Sequence, residues 1–311
     1  MHGRTARISA LAGTVCISFT GIFVALADVT PVTAAFFRAA YAIPLLAVLW
    51  VVWRRRDRRP ARLRVGGAAA GVFLAVDLVL WHRSIELIGA GLATVVANIQ
   101  VVFVGLFSFL LYRQRPTRRT VVCGGVAFAG LILISGLGRD DAFGVDPALG
   151  TILGLGSAVC YAVFIIGFQR SNPGGIAPAP LALLDATIGT ALATAVIGTV
   201  GGGLDLDVSW PAQGWLIALA VVGQVVGWTL IAYALPRLPA ISVSVLILAQ
   251  PMLSVLWGRL FLDETLSAVQ AAGVVVVLAA MVAVNLQPSL VADARAREGA
   301  GEEAPTVRPA D

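Results

Sequence analysis

The sequence predicts an all-α membrane protein of ten transmembrane helices, arranged as two inverted five-helix repeats. Three observations predict it. Apolar residues make up 59% of the 311 residues and charged ones 13%, against roughly half and a quarter in a soluble globular domain. The apolar residues fall in runs of about 20, the length that crosses about 30 Å of hydrocarbon as a helix. Finally, ATVVANIQVVFVGLFSFLLYRQRPT (93–117) returns as VSVLILAQPMLSVLWGRLFLDETLS (243–267), with Gln100 matched to Gln250, Leu106 to Leu256 and Leu110 to Leu260. Five spans per half is an odd number, so the second copy is upside down relative to the first.

The spans follow in order. Segment one (8–27) comes after Arg4 and Arg7 and ends in Ala25-Leu26-Ala27, like a cleavable leader. Its apolar run is longer than a leader core, and Val15-Cys16 lines up with Val159-Cys160 of segment six. Retention is therefore expected. Segment two (31–53) carries Arg38 and, near mid-membrane, Pro44. Segment three (65–85) carries Asp77 and Trp81; segment four (91–112) carries Thr94, Asn98 and Gln100. Segment five (119–137) leads to the polar loop 138–149, which divides the chain into units 1–141 and 142–287.

Segment six (148–168) stops at SNPGGIAPAP (171–180), where Pro and Gly cannot continue a helix. Segment seven (179–200) holds Asp185, and the loop after it (201–211) opens on three glycines and carries Asp205 and Asp207. Segment eight (213–235) holds Gln224 and Trp228; segment nine (240–262) holds Gln250, Pro251 and Trp257; segment ten is 267–286. Each internal proline removes a backbone hydrogen bond, leaving open a hinge or a static bend. The tail at 288–311 is polar and poor in large apolar residues, and reads as a disordered cytoplasmic extension.

All 22 basic residues are arginines. With the N-terminus inside, Arg54, Arg55, Arg56, Arg58, Arg59, Arg62 and Arg64 fall in one cytoplasmic loop, joined by Arg113, Arg115, Arg118, Arg119, Arg170 and Arg237. The outer ends keep Arg83, Arg139 and Arg259. That skew satisfies the positive-inside rule and puts both termini of a multi-pass inner-membrane protein in the cytoplasm. The 54–64 cluster then reads as a topology signal in contact with anionic lipid. Nucleic-acid binding would rest on the pI of 9.7 alone and is set aside.

Enzyme chemistry finds no support. The two histidines, His2 and His82, form no HExxH, and there is no GxSxG or Walker motif. Gly154-Leu155-Gly156-Ser157 lacks the third glycine of a dinucleotide loop. No cofactor, metal or ATP requirement is expected. Cys16, Cys123 and Cys160 all fall inside apolar segments without metal spacing and read as packing residues. Gly67/Gly71, Gly150/Gly154 and Gly223/Gly227 place small residues at i, i+4, as close helix packing in lipid requires.

An ion at the bilayer centre costs about 2.5–3.5 kcal/mol on insertion scales, so intramembrane charges are functional candidates. Arg38 has two open readings: a fork for a substrate carboxylate or phosphate, or a structural partner of Asp77. Asp77 is a proton or amine site, or that partner. Asp185 is a carrier or reaches interfacial water, while His82, Arg83 and Glu86 sit near the outer end, where water can solvate them. The substrate-binding set expected from segments two, three, four, eight and nine is Arg38, Asp77, Trp81, Asn98, Gln100, Gln224, Trp228, Gln250 and Trp257, converging on one cavity.

Two stretches then resemble the EamA-type branch of the drug/metabolite transporter superfamily. PVTAAFFRAAYAIPLL (31–46) is similar to its Pro-then-Arg second helix, with Pro31 and Arg38. QPMLSVLWGRLFLDETLS (250–267) is similar to its fourth-helix proline and closing acid, with Pro251, Glu264, Thr265 and Ser267. The first half departs, with Val101 and Gln114 at the corresponding places, and the second half lacks the arginine. The resemblance covers about residues 8–287 and implies a basket of ten helices around a central cavity. It implies export or uptake of small metabolites, amino acids or toxic compounds.

The expectation is therefore a secondary transporter working by alternating access in the lipid bilayer, as a monomer or weak dimer. Its partner is a small-molecule substrate, with protons through Asp77 as the coupling ion or simple exchange both open. A non-transporting scaffold or sensor would need a folded extramembrane domain, and a membrane-embedded enzyme would need turnover of a lipid.

Overall fold

The structure, a computed structural model, describes residues 2–113, 117–137, 139–234 and 240–285. The expected tail at 288–311, Gln114, Arg115 and Arg237 lie outside them. The described residues form helices and connecting turns, with no strand among them. Among the described residues six helical stretches are long and apolar enough to cross a bilayer: Thr5–Ala27, Pro31–Arg56, Ala61–Ala97, Pro147–Ser171, Ala179–Gly201 and Ala212–Ile231.

Segment one is two helices, α1 (His2–Ser18) and α2 (Thr20–Ala27), separated at Phe19. The hydroxyls of Ser18 and Thr20 donate to the carbonyls of Val15 and Ile17, both at 2.7 Å. Such back-bonding competes with the helical ladder and favours a bend. Segment two is α3 (Pro31–Trp53). Its start follows from sequence: Thr30 accepts from the Thr33 N–H and Pro31 occupies the first turn, where a missing donor costs nothing.

Segments three and four make up α4 (Ala61–Ala97) and α5 (Gln100–Tyr112), but the breaks are not where hydropathy puts them. The chain turns at Gly89, whose φ of 81° favours glycine. Immediately after it, the N–H groups of Ala90 and Gly91 donate to the carboxylate of Glu264, the latter at 3.0 Å. An anion there meets the orphan donors and positive end of a helix start. A second break at Asn98–Ile99 corrects the expectation of one continuous helix over 91–112.

Segment five is α6 (Arg118–Ile134), started by Thr117, which accepts from the Thr120 N–H. The second half continues with α7 (Pro147–Ser171), capped by Asp146, and α8 (Ala179–Gly201). Segment eight is composite: α9 (Ala212–Ala218), a π-helical stretch Leu219–Gly227, and α10 (Trp228–Ala234). Helices α11 (Ala240–Phe261), containing Pro251, and α12 (Ala268–Asn285) complete the described residues.

The most extensive packing joins α7 to α4, followed by α4 to α8, α12 to α6, and α3 to α8. Helix α1 lies against α10 and α11, α11 against α4, and the π-helical stretch against α3. Glycine sets the tightest approach. A Cβ at Gly189 would sit 1.9 Å from the Ala68 carbonyl, and one at Gly71 would sit 2.1 Å from that of Ala186. Thr190 closes the same seam by donating to the Gly71 carbonyl at 3.0 Å.

Candidate substrate site

Arg38 lies about 10 Å along α3 from Pro31, at 1.5 Å per residue. It is buried, and its Nε donates to Gln224 Oε1 at 3.0 Å. Gln224 is held in turn by Thr187 of α8, at 3.5 Å. Among the described residues Gln224 is the one hydrogen-bond partner of the guanidinium. Neither Asp77 nor any other carboxylate there comes within 4 Å as an ion pair. Arg38 and Asp77 interact through space, and Tyr161 of α7 interacts with both.

Asp77 is buried on α4 and accepts from the hydroxyl of Ser157 at 2.5 Å. So α3, α4, α7, α8 and the π-helical stretch all contribute to one polar cluster. Ser157, Tyr161, Thr187 and His82 were not in the expected set. Ser157 sits in the Gly154–Ser157 stretch, noticed only as a failed nucleotide loop; Tyr161 follows one turn later, and that spacing was the available signal.

His82 is fully buried, which corrects its placement at a solvated outer end. Its Nδ1 lies 3.1 Å from the Pro31 carbonyl. That oxygen can only accept, so Nδ1 donates to it, and in the neutral ring Nε2 presents a lone pair. Nε2 is buried without a partner among the described residues, as is the Trp81 Nε1–H donor beside it. Arg83 and Glu86, by contrast, pair with each other at the surface.

The remaining expected residues do not join this cluster through hydrogen bonds. Asn98 donates to the Thr94 carbonyl at 2.8 Å, and Thr94 to that of Ala90 at 2.7 Å, so both are spent on their own helix. Gln100 and Gln250 are half-buried. Trp228 packs with Tyr41, Leu46, Trp50 and Leu183 in a separate apolar cluster. Trp257 donates to the Ser18 hydroxyl at 2.9 Å and stacks on Phe19, with ring centroids 4.7 Å apart.

Asp185 lines a cavity between α4 and α8 with its side chain almost enclosed. It is buried and pairs with Arg59 at 2.8 Å and Arg64 at 3.2 Å. Arg59 also binds Asp57 at 2.9 Å, with its own side chain wholly buried. Its hydrogen bond holds the Asp57 carboxyl below the ordinary carboxylate range. For the 54–64 cluster, expected as a topology signal in contact with anionic lipid, the lipid-contact part is corrected at Arg59, because its side chain is enclosed by Asp57 and Asp185.

Apolar spans closed around buried charges define an integral membrane protein with a polar interior. The model of the EamA-like transporter family matches residues 4–136 and 148–286, and the chain belongs to that family. The threonine/homoserine exporter RhtA of Salmonella typhimurium (strain SL1344) is 29% identical over 243 residues, 78% of each chain. Its Escherichia coli (strain K12) counterpart is 28% identical over the same coverage. An uncharacterized transporter of Archaeoglobus fulgidus is 26% identical over 83% of this chain and 89% of its own. A crystal structure 17% identical aligns with a TM-score of 0.60, covering 94% of this chain and 99% of that one, and shares the fold. The protein is a small-molecule membrane transporter, not an enzyme.

Proposed function

We propose that this protein is a secondary transporter that moves a small polar metabolite, of the amino-acid kind named for its relatives, by alternating access of two inverted five-span halves. One observation carries the reading: Arg38 is buried between spans from both halves, held by a neutral amide, and left without an ion pair. Burying a guanidinium is costly, and a fork already aimed by Gln224 suits a visiting carboxylate. Asp77, held on α4 by the Ser157 hydroxyl, offers an acceptor for an ammonium group or a coupling proton. Trp81 Nε1 and His82 Nε2 supply a donor and an acceptor that a polar guest would satisfy.

The helix contacts support the inverted ten-span arrangement with units 1–141 and 142–287. Numbering the spans one to ten and exchanging each with the span five places on, α1 against spans eight and nine becomes α7 against spans three and four. Span three against seven becomes eight against two. Two against seven, four against nine and five against ten map onto themselves, and all of these contacts occur. The arginine excess at the 54–64 end supports placing that end and both termini in the cytoplasm.

Purified protein in proteoliposomes tests the reading by counterflow of radiolabelled threonine, homoserine and other amino acids. We expect saturable exchange that Arg38→Ala reduces by about a hundredfold, the loss of a charge-assisted bidentate contact. Exchange by Arg38→Ala equal to that of the unaltered protein would overturn the assignment of the site.

A further inference from the structure

Two junctions at opposite ends of the molecule use equivalent parts with unlike chemistry. At one end, the loop after α3 and the first turn of α4 reach the first turns of α8, where Asp185 receives Arg59 Nη2 and Arg64 Nη2. At the other, the loop after α8 reaches the first turn of α3. There the Thr33 hydroxyl donates to the Gly203 carbonyl at 3.1 Å and accepts from the Asp205 N–H at 2.9 Å. The Thr30 hydroxyl contacts the same carbonyl. Exchanging the halves turns one junction into the other.

Their strengths differ. The first joins Asp57 and Asp185 to Arg59 and Arg64, two negative charges against two positive, with Arg59 wholly enclosed. Removing one partner strands a buried charge. The second is neutral throughout, and each such bond contributes only about 1 kcal/mol net. The ionic junction is also incomplete, since Arg59 Nη1 is buried with no acceptor among the described residues. A partly satisfied network opens at lower cost than a fully satisfied one, which suits a releasable contact and not a permanent rivet.

We propose that the Asp57–Arg59–Asp185–Arg64 network is a latch that closes the arginine-rich end of the transporter, and that the Thr30/Thr33–Gly203/Asp205 contact is its weaker counterpart at the opposite end. The inequality biases the resting protein toward closure at the arginine-rich end. The proposal rests on the inverted-repeat transporter reading, and it extends that reading to which side the empty carrier faces.

Side-specific cysteine labelling tests it. Ser171 is buried beside Gly67 near the ionic latch, and Val32 is buried beside Gly198 near the neutral one. Each is changed to cysteine in the full chain and labelled with an impermeant maleimide in oriented vesicles, with Cys16, Cys123 and Cys160 as the baseline. We expect Asp185→Asn to raise labelling at position 171 by about tenfold and to lower it at position 32, within the usual span of coupling between two states. Thr33→Val should shift labelling the opposite way by about two- to threefold. Should Asp185→Asn fail to fold, Arg64→Gln removes a single half-exposed partner and should still raise labelling at 171. Unchanged labelling at 171 in a folded variant, or a rise at both reporters together, overturns the latch. Sidedness that switches as described in a protein that moves no solute upholds the latch and removes the carrier reading alone.

Discussion

The α4–α8 seam and the seam between α3 and the π-helical stretch pair equivalent spans of the two halves, yet they are built from different materials. In the first, Gly71 and Gly189 bring backbones into contact, and along the middle the Thr190 hydroxyl bonds to a carbonyl. Nothing ionic lies along its middle; the charges are gathered at its end, on Asp185. In the second, a long polar side chain bridges the gap, Arg38 reaching Gln224 at 3.0 Å, and beside it Gln213 of α9 reaches Tyr41 at 2.9 Å. Backbone fills the first seam where Gly71 meets Ala186 and Gly189 meets Ala68, and a cavity opens at its end beside Arg64, Ala68 and Asp185. A seam spanned by side chains can exchange one partner for another. On the proposed inverted repeat the two seams are equivalent interfaces, one serving as a support and the other as the proposed site.

That contrast can be broken at the support. Gly189→Leu places a side chain where a Cβ already overlaps the Ala68 carbonyl, and should cost more than about 3 kcal/mol of stability. The expected result is loss of monodisperse protein on detergent gel filtration. At the site, Gln224→Leu removes the acceptor of a buried cation and should cost about 2 kcal/mol, seen as a lower Tm in detergent. Added substrate should restore part of that loss by supplying a carboxylate.

Asp77→Asn sharpens the comparison by separating coupling from binding. If Asp77 carries a coupling proton, gradient-driven accumulation should fall to background while counterflow persists, and the pH dependence of uptake should disappear; unchanged pH dependence removes that role. Tyr41→Phe removes a single neutral bond and should change stability by only about 0.6 kcal/mol, at the limit of a thermal-shift measurement.

The smallest effect concerns acid. Because Asp57 is held below its ordinary range by Arg59, its contribution is complete above that range and is lost only as pH falls through the lowered value. Thermal stability traceable to Asp57, read as the difference from Asp57→Asn, should stay flat from about pH 8 to about pH 5.

Apolar runs, loop charges and glycine pairs announced the helical membrane class because each is a local property with a period or a length. Arg38, Asp77 and Gln224 were legible as candidates for a related reason: a polar group at membrane depth stands out against its neighbours. Their partners were not. Asp185 meets Arg59 across 126 positions of sequence, and hydropathy cannot tell a paired arginine from one bathed in lipid. The matched Gln100 and Gln250 promised a shared role, but among the described residues no hydrogen bond links either to the Arg38 cluster. Breaks at Phe19 and Asn98, and the π-helical stretch around Gln224, leave the apolar run intact and so leave no trace in composition. Glu264 was visible as a family-like acid, while its task depended on a helix start in the other half.

That carboxylate has a mechanical consequence. By gripping the first amides after Gly89, the turn between α11 and α12 is tied to the elbow between two spans of the opposite unit, so the two corners must travel together. Any rocking of the units pivots around this tie or tears it, and the compliant joint is then to be sought where a helix is interrupted without such a clasp, at Asn98.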